Sequence, residues 1–295
     1  MITGKGGVGR TVVSVALAHA AAQHGHQVLL AEVADAEGHR SSVAPYFGRE
    51  EIGEKPVPLG KNILGCRLLA TAGHEAFGRS IIPSGPLIRA ALRSSALRKF
   101  MLAAPAFYEL GLMYHLLRLL EATNDRGQPL YPFIIIDMPA TGHALALADL
   151  PETVLRLVPR GPIATAMRAG QAYLNDPETT AAWIVTLPEH LPVTEAIELL
   201  EGLRRTRVPM GGVILNRFLP DPFTDEERVA LGAVLSAIPM HGEVLFQRIV
   251  MARESAARLG ASVDVPILHL PDVPGHDAEQ IRTTLTAQLM PQVGA

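Results

Sequence analysis

The chain has 295 residues, of which 48% are hydrophobic and 19% are charged, and its formal net charge is -3. This apolar content is sufficient for a sizeable core, and the small negative charge provides no sequence-independent attraction to nucleic acid, so we expect a globular protein without a nucleic-acid partner. Because Cys66 is the single cysteine, an intramolecular disulfide is excluded, and a cysteine-based metal or iron-sulfur site would need a second subunit.

The first predicted element is a glycine-rich loop, GKGGVGRT, at residues 4–11. A phosphate-binding loop of the Walker A type reads G-x-x-x-x-G-K-[ST]: backbone amides surround the phosphates, the lysine reaches the β and γ oxygens, and the hydroxyl binds Mg²⁺. The residues predicted to contact nucleotide here are Gly4, Gly6, Gly7, Val8, Gly9, Arg10 and Thr11. Arg10 occupies the position of the usual lysine, and Thr11 is also the predicted Mg²⁺ ligand. A glycine-rich turn that only precedes a helix is the plainer alternative.

Three residues precede the loop, so either the first strand is short or the chain begins later than those of its relatives. After the loop, strand and helix patterns alternate. Residues 11–23 are predicted as the next helix, which would end near Gly25. Apolar runs predict five buried strands: HQVLLAEV (26–33), FIIID (133–137), AAWIVTLP (181–188), MGGVILN (210–216) and VPILHLP (265–271). This alternation predicts an α/β fold with a doubly wound, mainly parallel sheet.

Residues 72–125 interrupt the alternation and contain no convincing strand pattern. We predict a helical insert there, within a single domain that spans residues 1–295, because the chain contains no internal repeat, low-complexity tract or long linker. The N-terminus has no leader pattern, and no apolar run approaches the ~20 residues of a membrane span. We therefore expect a cytoplasmic protein.

Two further segments favour a nucleotide site at the carboxyl ends of the strands, where doubly wound folds bind their ligands. Asp137 ends the FIIID run, where its carboxylate could bind Mg²⁺ through water. The turn that follows could sense the γ-phosphate, and its predicted switch residues are Pro139, Thr141, Gly142 and His143. Asn216 ends the MGGVILN run, and its amide could pair with a base edge, although asparagine at a strand end is also an ordinary turn residue.

In combination, these segments resemble the ATPases of the arsenite-pump and tail-anchored-protein-targeting family, a branch of the P-loop NTPases with a deviant Walker A loop. KGGVGRT is similar to the family's K-G-G-V-G-K-[ST], and DMPATGHALALADLP is similar to its second switch, D-x-x-P-T-G-H-x-L-x-x-L-x-x-P. VTLPEHLPVTEAIELLEGL followed by VILNRFLPD resembles a later strand, helix and asparagine-containing strand of the family. The resemblance covers most of the chain, which looks most like bacterial members of uncertain role.

The resemblance implies a P-loop NTPase fold and a dimer that closes around ATP and Mg²⁺. Lys5 would reach across the interface to the partner's phosphates, while Thr11 and Asp137 would organise Mg²⁺. Asn216 would contact adenine, and Pro271 would lie beside the base and ribose. The dimer partner would be a second copy or a paralogous ATPase, and the client a hydrophobic helix or a membrane protein. The apolar positions of the helical insert are then either a stripe of the core or one wall of a client groove.

Three departures from the family pattern bear on activity. Cys66 alone supplies neither the paired-cysteine zinc clip of targeting members nor the several cysteines with which pump members sense the metalloid. For the acid of the first switch, which positions the attacking water, LLAEVADAEGHR contains Glu32 and Asp35. Asp35 is our candidate, and an ordinary capping or turn role is its alternative. Arg10 replaces a compact ammonium with a planar fork, and a misplacement of ~1 Å would cost ~3 kcal/mol, about a hundredfold in rate.

Two functions therefore stay open at the level of the sequence. The first is a Mg²⁺-dependent ATPase, slowed by Arg10, whose helical insert couples the nucleotide state to a client or partner. The second is a hydrolysis-deficient, nucleotide-binding partner subunit of an active paralogue. A DNA-partitioning role lacks a basic surface signal, and an electron-transfer role would need more cysteines than Cys66.

Overall fold

The structure, a computed structural model, describes residues 1–34, 40–81, 106–139, 141–237, 242–274 and 277–293. In these residues one sheet contains eight strands: β1 (Ile2–Gly4), β2 (Val28–Val33), β3 (Val57–Gly60), β4 (Ile63–Leu68), β5 (Phe133–Asp137), β6 (Ala182–Thr186), β7 (Met210–Phe218) and β8 (Ile267–Pro271). Their order is β3-β4-β2-β5-β1-β6-β7-β8, and the neighbouring pairs are parallel except β3 with β4. The predicted α/β class with a mainly parallel sheet is confirmed.

Nine α-helices lie in the same described ranges: α1 (Arg10–Gln23), α2 (Ala70–Ile81), α3 (Phe107–Leu120), α4 (Thr141–Leu157), α5 (Pro162–Asn175), α6 (His190–Arg205), α7 (Asp225–Ala237), α8 (Glu243–Ser262) and α9 (Ala278–Val293). Helix α1 begins one residue before its predicted start and ends where predicted, ahead of Gly25, whose φ of +91° is the left-handed conformation that follows many helices. None of these nine helices is both long enough and apolar enough to cross a membrane.

Helices cover both faces of the sheet, and β2 contributes to the packing on each. Val28 and Leu30 pack in the cluster that contains α1 and α9, whereas Leu29, Ala31 and Val33 pack in the cluster that contains α3, α4 and α5. Successive side chains of a strand point to opposite faces, so a strand that is buried on both sides has a continuous apolar run. This is why the VLLAEV pattern predicts a buried strand without alternation.

Strands β3 and β4 lie where no strand is predicted. The edge strand β3 contains Pro58 and ends at Gly60, residue types that typically indicate a loop and that an edge strand tolerates. Next to it, β4 is largely buried and contains Cys66, a fully buried thiol whose pKa burial raises to about 12. A Cβ at Gly65 would lie 2.2 Å from a methyl carbon of Leu59, so a larger residue there would require the Leu59 side chain to move.

The described part of the predicted helical insert consists of α2 and α3, and residues 82–105 between them lie outside the described ranges. The two helices approach closely through glycines: a Cβ on Gly73 would lie 1.7 Å from the carbonyl oxygen of Gly111. Leu112, Met113 and Leu116 of α3 are at most 2% exposed and pack in the cluster with β2 and β4. The apolar stripe of α3 is therefore part of the protein core.

Candidate functional site

The glycine-rich loop connects β1 to α1, at the carboxyl end of the central strand. Gly9 has a φ of +93°, and a Cβ there would lie 2.3 Å from the side-chain nitrogen of Asn216. Gly6 differs, because its φ is outside the left-handed region and a Cβ would meet no described atom within 4 Å. Nothing in the described protein therefore requires glycine at position 6, and the exposed loop backbone there leaves room for a ligand to approach.

Asn216 supports the loop from the core. The residue is 2% exposed, and its side-chain amide nitrogen donates a hydrogen bond of 2.9 Å to the carbonyl oxygen of Val8, a residue that is itself buried. The two residues are 208 positions apart in the chain, so the sequence contains no signal for this pairing. The structure thus assigns Asn216 a positioning role, and its predicted contact with adenine stays a prediction.

Two hydroxyls near the start of α1 and the carboxylate at the end of β5 form a cluster next to the loop. Thr11 Oγ1 donates to Asp137 Oδ2 and Ser14 Oγ donates to Asp137 Oδ1, both at 2.9 Å. Ser14 was not predicted, although its spacing of three residues from Thr11 places both on one helix face. Burial raises the pKa of Asp137 to about 6, and the nearby Glu32 adds to this, while the two hydroxyls and Arg10 oppose it.

Glu32 forms a second buried carboxylate beside the first. It accepts hydrogen bonds from the hydroxyl of Ser41 at 2.5 Å and from both the backbone nitrogen and hydroxyl of Ser42 at 2.6 Å. Ser42 Oγ also lies 3.4 Å from Thr11 Oγ1, so this network connects β2 to the loop helix. The preferred first-switch candidate, Asp35, lies outside the described residues.

A cavity of about 160 Å³ lies between these groups. Its polar and charged lining residues are Arg10, Thr11, Glu32, Arg40, Ser42, Arg67 and Asp137. Carboxylate and hydroxyl oxygens are the ligands that Mg²⁺ prefers, and guanidinium groups bind phosphate oxygens in a bidentate manner. The lining therefore fits a phosphate group that carries a divalent cation.

The two basic residues of the loop point to different parts of the molecule. The guanidinium of Arg10 donates to the carbonyl oxygen of Met138, directly after Asp137. The ammonium of Lys5 lies 2.5 Å from Glu195 Oε1 on α6, and its side chain is 52% exposed. Arg10 thus lies at the cavity, whereas Lys5 is paired at the surface.

The predicted switch residues follow β5. Pro139 lines the cavity, and Gly142 and His143 lie in the first turn of α4, where Gly142 is exposed. Thr141 begins that helix, and its side chain lies outside the described part. His143 Nδ1 is 3.4 Å from Glu109 Oε1 of α3. One residue earlier in α3, the hydroxyl of Tyr108 donates a hydrogen bond to the carbonyl oxygen of Ala34, directly after β2.

Pro271, the predicted base-side residue, ends β8 at the far edge of the sheet. It is partly buried and paired in register with Phe218 of β7, two residues beyond Asn216. The sheet therefore brings the ends of β7 and β8 together, on the side of the loop away from Glu32. The contact of Pro271 with a base stays a prediction.

Comparison with known proteins agrees with the motifs. The model of the family described as "Anion-transporting ATPase" matches residues 1–161, more than half of the chain. ATPase BagA of Mycobacterium tuberculosis is 29% identical over 221 residues, which are 75% of this chain and 65% of that protein. Arsenical pump-driving ATPases of Escherichia coli and Acidiphilium multivorum are 28% and 27% identical over 231 residues, which are 74% of this chain and 34% of each relative. This chain thus spans less than two thirds of the length of these relatives.

Both lines of observation agree, since the family match includes the glycine-rich loop, the buried Asp137 and the turn that follows it. The resemblance stated from the motifs is confirmed. The chain belongs to the anion-transporting ATPase family.

Proposed function

We propose that this chain is a Mg²⁺-dependent ATPase that binds ATP at the loop of residues 4–11. The observation that carries the proposal is the cluster of Thr11, Ser14 and Asp137 at the carboxyl end of the central strands. The same helix that supplies both hydroxyls begins directly after the loop, so its N-terminal amides and positive dipole end are available to phosphate.

Thr11 and Asp137 would hold Mg²⁺, whose positive charge would offset the charge of the transferred phosphate. The loop amides would bind the phosphates nearer the ribose, and the open surface at Gly6 leaves room for their oxygens. Arg10 lies in the cavity next to Asp137 and keeps a cation near the reacting phosphate. Because a guanidinium engaged with Met138 does not reproduce the position of a compact ammonium, we expect slow turnover.

The nucleotide state would reach the helical region through α3. Tyr108 contacts the carbonyl end of β2, and Glu109 contacts His143 after β5, so neighbouring residues of one helix touch the segments that follow both strands. Helix α3 also packs against α2, which begins the helical region. A hydrophobic helix or a membrane protein is the client or partner that we propose for it, in keeping with the pump-driving and anion-transporting names of its relatives.

We further propose that the active form is a dimer, of two copies or of this chain with a paralogous ATPase, in which Lys5 acts across the interface. Half of the Lys5 side chain is exposed, which is compatible with release from Glu195 when a partner approaches. The engagement of Arg10 with Met138 favours a second candidate function, a nucleotide-binding subunit that does not hydrolyse ATP and supports an active paralogue.

Steady-state ATP hydrolysis of the purified chain with Mg²⁺ tests the proposal, with nucleotide binding measured on the same samples. We expect slow turnover, faster in Arg10→Lys and lost in Thr11→Ala and Lys5→Ala. Arg204→Gln is the matched control, since Arg204 pairs with Asp264 on the surface, outside the cavity. Binding without turnover that Arg10→Lys restores would favour the partner subunit. Absence of both binding and turnover would contradict both functions.

A further inference from the structure

Arg67 of β4 is a buried cation in the nucleotide cavity whose described contacts leave it incompletely paired. The residue is 8% exposed, and its Nε is buried without a hydrogen-bond partner among the described residues. Its one described ion pair joins Nη1 to Glu51 Oε1 at 3.4 Å, and the Glu51 side chain is 46% exposed. Burial of a guanidinium is unfavourable unless its donors are satisfied, so a group that binds there would remove this penalty.

The strand register places Arg67 with the proposed Mg²⁺ site. Glu32 of β2 is paired in register with Arg67 on one side and with Asp137 on the other. Residues paired across parallel strands lie on the same face, about 4.8 Å apart per strand, so Arg67 and Asp137 are about 10 Å apart at the backbone. Both residues line the same cavity, and the length of an arginine side chain covers much of that distance.

The two carboxylates closest in register to Arg67, Glu32 and Asp137, are already held by other donors. Glu32 accepts from Ser41 and Ser42, and Asp137 accepts from Thr11 and Ser14. Among the described groups, neither carboxylate forms an ion pair with Arg67 within 4 Å. Arg67 thus lines the cavity without an ion pair to either carboxylate, and phosphate is an acceptor whose geometry matches a guanidinium.

We propose that Arg67 binds the terminal phosphate of ATP within the same chain and so makes the site prefer ATP over ADP. The inference rests on the proposed function. Strand order supports it: β4 lies three strands from β1, with the Thr11-Asp137 pair between Arg67 and the loop. Thr11 and Asp137 would hold Mg²⁺, so a cation on the far side of that pair from the loop would meet the phosphate farthest from the loop amides.

A purely structural role predicts a different pattern of effects. If Arg67 serves only to pair with Glu51, then Glu51→Gln removes the same ion pair and should reproduce the effect of Arg67→Gln. If Arg67 binds phosphate, Glu51→Gln leaves the guanidinium in the cavity, and the preference for ATP stays. Glu51 is a suitable control because it does not line the cavity.

Isothermal titration of the full chain with Mg²⁺ and either ATPγS or ADP distinguishes these outcomes. We expect Arg67→Gln to weaken ATPγS binding about tenfold to hundredfold, the range of a lost hydrogen bond to a charged group, and to change ADP binding by less than about twofold. Glu51→Gln should retain the wild-type ratio. Equal losses for both nucleotides, an unchanged ratio, or an equal effect of Glu51→Gln would each overturn the assignment.

If Arg67→Gln does not fold, Arg67→Lys tests the phosphate assignment instead. A lysine keeps the charge but lacks the two parallel donors, so we expect a loss for ATPγS of about tenfold that ADP does not share. Equal ATPγS affinity in this variant and wild type would count against the assignment. Wild-type protein that binds neither nucleotide would overturn the proposed function as well, whereas binding with an unaltered ratio in the Arg67 variants would overturn the Arg67 assignment alone.

Discussion

At the scale of single residues, the candidate site depends on the Asp137 carboxylate, whose charged form is disfavoured by burial. Asp137 is 4% exposed, and desolvation raises its pKa to about 6 despite two hydroxyl donors. A cation needs the deprotonated form, so Mg²⁺ binding should weaken below about pH 6. The same shift has a consequence for stability, because the folded and unfolded chains release this proton at different pH.

Without Mg²⁺, wild type should lose stability relative to Asp137→Asn as the pH rises from about 4 to about 6. The folded chain keeps the proton up to a pKa of about 6, whereas the unfolded chain releases it near the ordinary pKa of 3.8, so deprotonation favours unfolding in this window. A shift of about two units corresponds to about 3 kcal/mol. Urea unfolding of both proteins from pH 4 to 7 measures the difference, and a difference that does not change with pH would contradict the prediction.

Two loop glycines should respond differently to the same substitution. Gly9→Ala forces a Cβ against the Asn216 amide at a left-handed φ, so we expect a loss of about 1–3 kcal/mol in the free energy of unfolding. Gly6→Ala should change stability by less than about 0.5 kcal/mol, because a Cβ there meets no described atom within 4 Å. It should weaken ATP binding about tenfold or more, because its methyl group would enter the space in which we propose that phosphate binds. Denaturant unfolding and nucleotide titration of both variants test this. Wild-type ATP affinity in Gly6→Ala would count against a phosphate contact at that position.

At the scale of elements, α3 is both a core helix and a link between the two segments beside the nucleotide site. Its buried face, with Leu112, Met113 and Leu116, packs in the core, and its first turn contacts Ala34 and His143. A helix packed in this way moves as a unit, because cores are close-packed and do not deform continuously. A change at either segment can therefore be passed along α3 toward α2.

Nucleotide binding should slow amide hydrogen exchange in residues 106–120. The double variant Tyr108→Phe with Glu109→Gln should show less of this protection. The double variant removes the hydroxyl donor to Ala34 and the charge that faces His143, while the buried face of α3 is left intact. We expect ATP affinity to change by less than about threefold, because neither residue lines the cavity. Tyr173→Phe is the control, on α5. Full protection in the double variant would exclude these contacts as the link.

At the scale of the whole molecule, Lys5 would have to leave its ion pair with Glu195 of the same chain before it could act across the proposed dimer interface. Lys5 and Glu195 are half and one-fifth exposed at their side chains, with an N–O distance of 2.5 Å. Partly exposed pairs of this kind contribute about 0–1 kcal/mol, so release of Lys5 would be a small obstacle to assembly. The pair can thus oppose dimerisation without preventing it.

Glu195→Gln should strengthen dimerisation in the presence of Mg²⁺ and ATPγS by up to about fivefold, the equivalent of about 1 kcal/mol. The effect should vanish in the double variant Lys5→Ala with Glu195→Gln, since no ammonium is then available to the partner. Analytical ultracentrifugation over a concentration series measures the dissociation constants. Equal dimerisation of wild type and Glu195→Gln would mean that this pair does not regulate assembly.

The sequence by itself determined the elements whose signal is local. The phosphate loop, the strand that ends at Asp137 and the strand that ends at Asn216 are each encoded in short continuous segments, by glycine spacing and apolar runs. The family resemblance followed from the same segments. β3 escaped prediction because Pro58 and Gly60 indicate a loop locally, and an edge strand tolerates them only in the context of the assembled sheet. β4 was missed although its segment ILGCRL is itself a short, largely apolar run.

Only the tertiary structure decided which of these segments meet. Asn216 donates a hydrogen bond to the carbonyl of Val8, and Ser14 donates one to Asp137. Arg67 lines the cavity because β4 is paired in register with β2. Strand order and burial on both faces of the sheet set these contacts between residues far apart in the chain. Local periodicity carries no information about such pairings, because it specifies the conformation of each segment and not its neighbours in space.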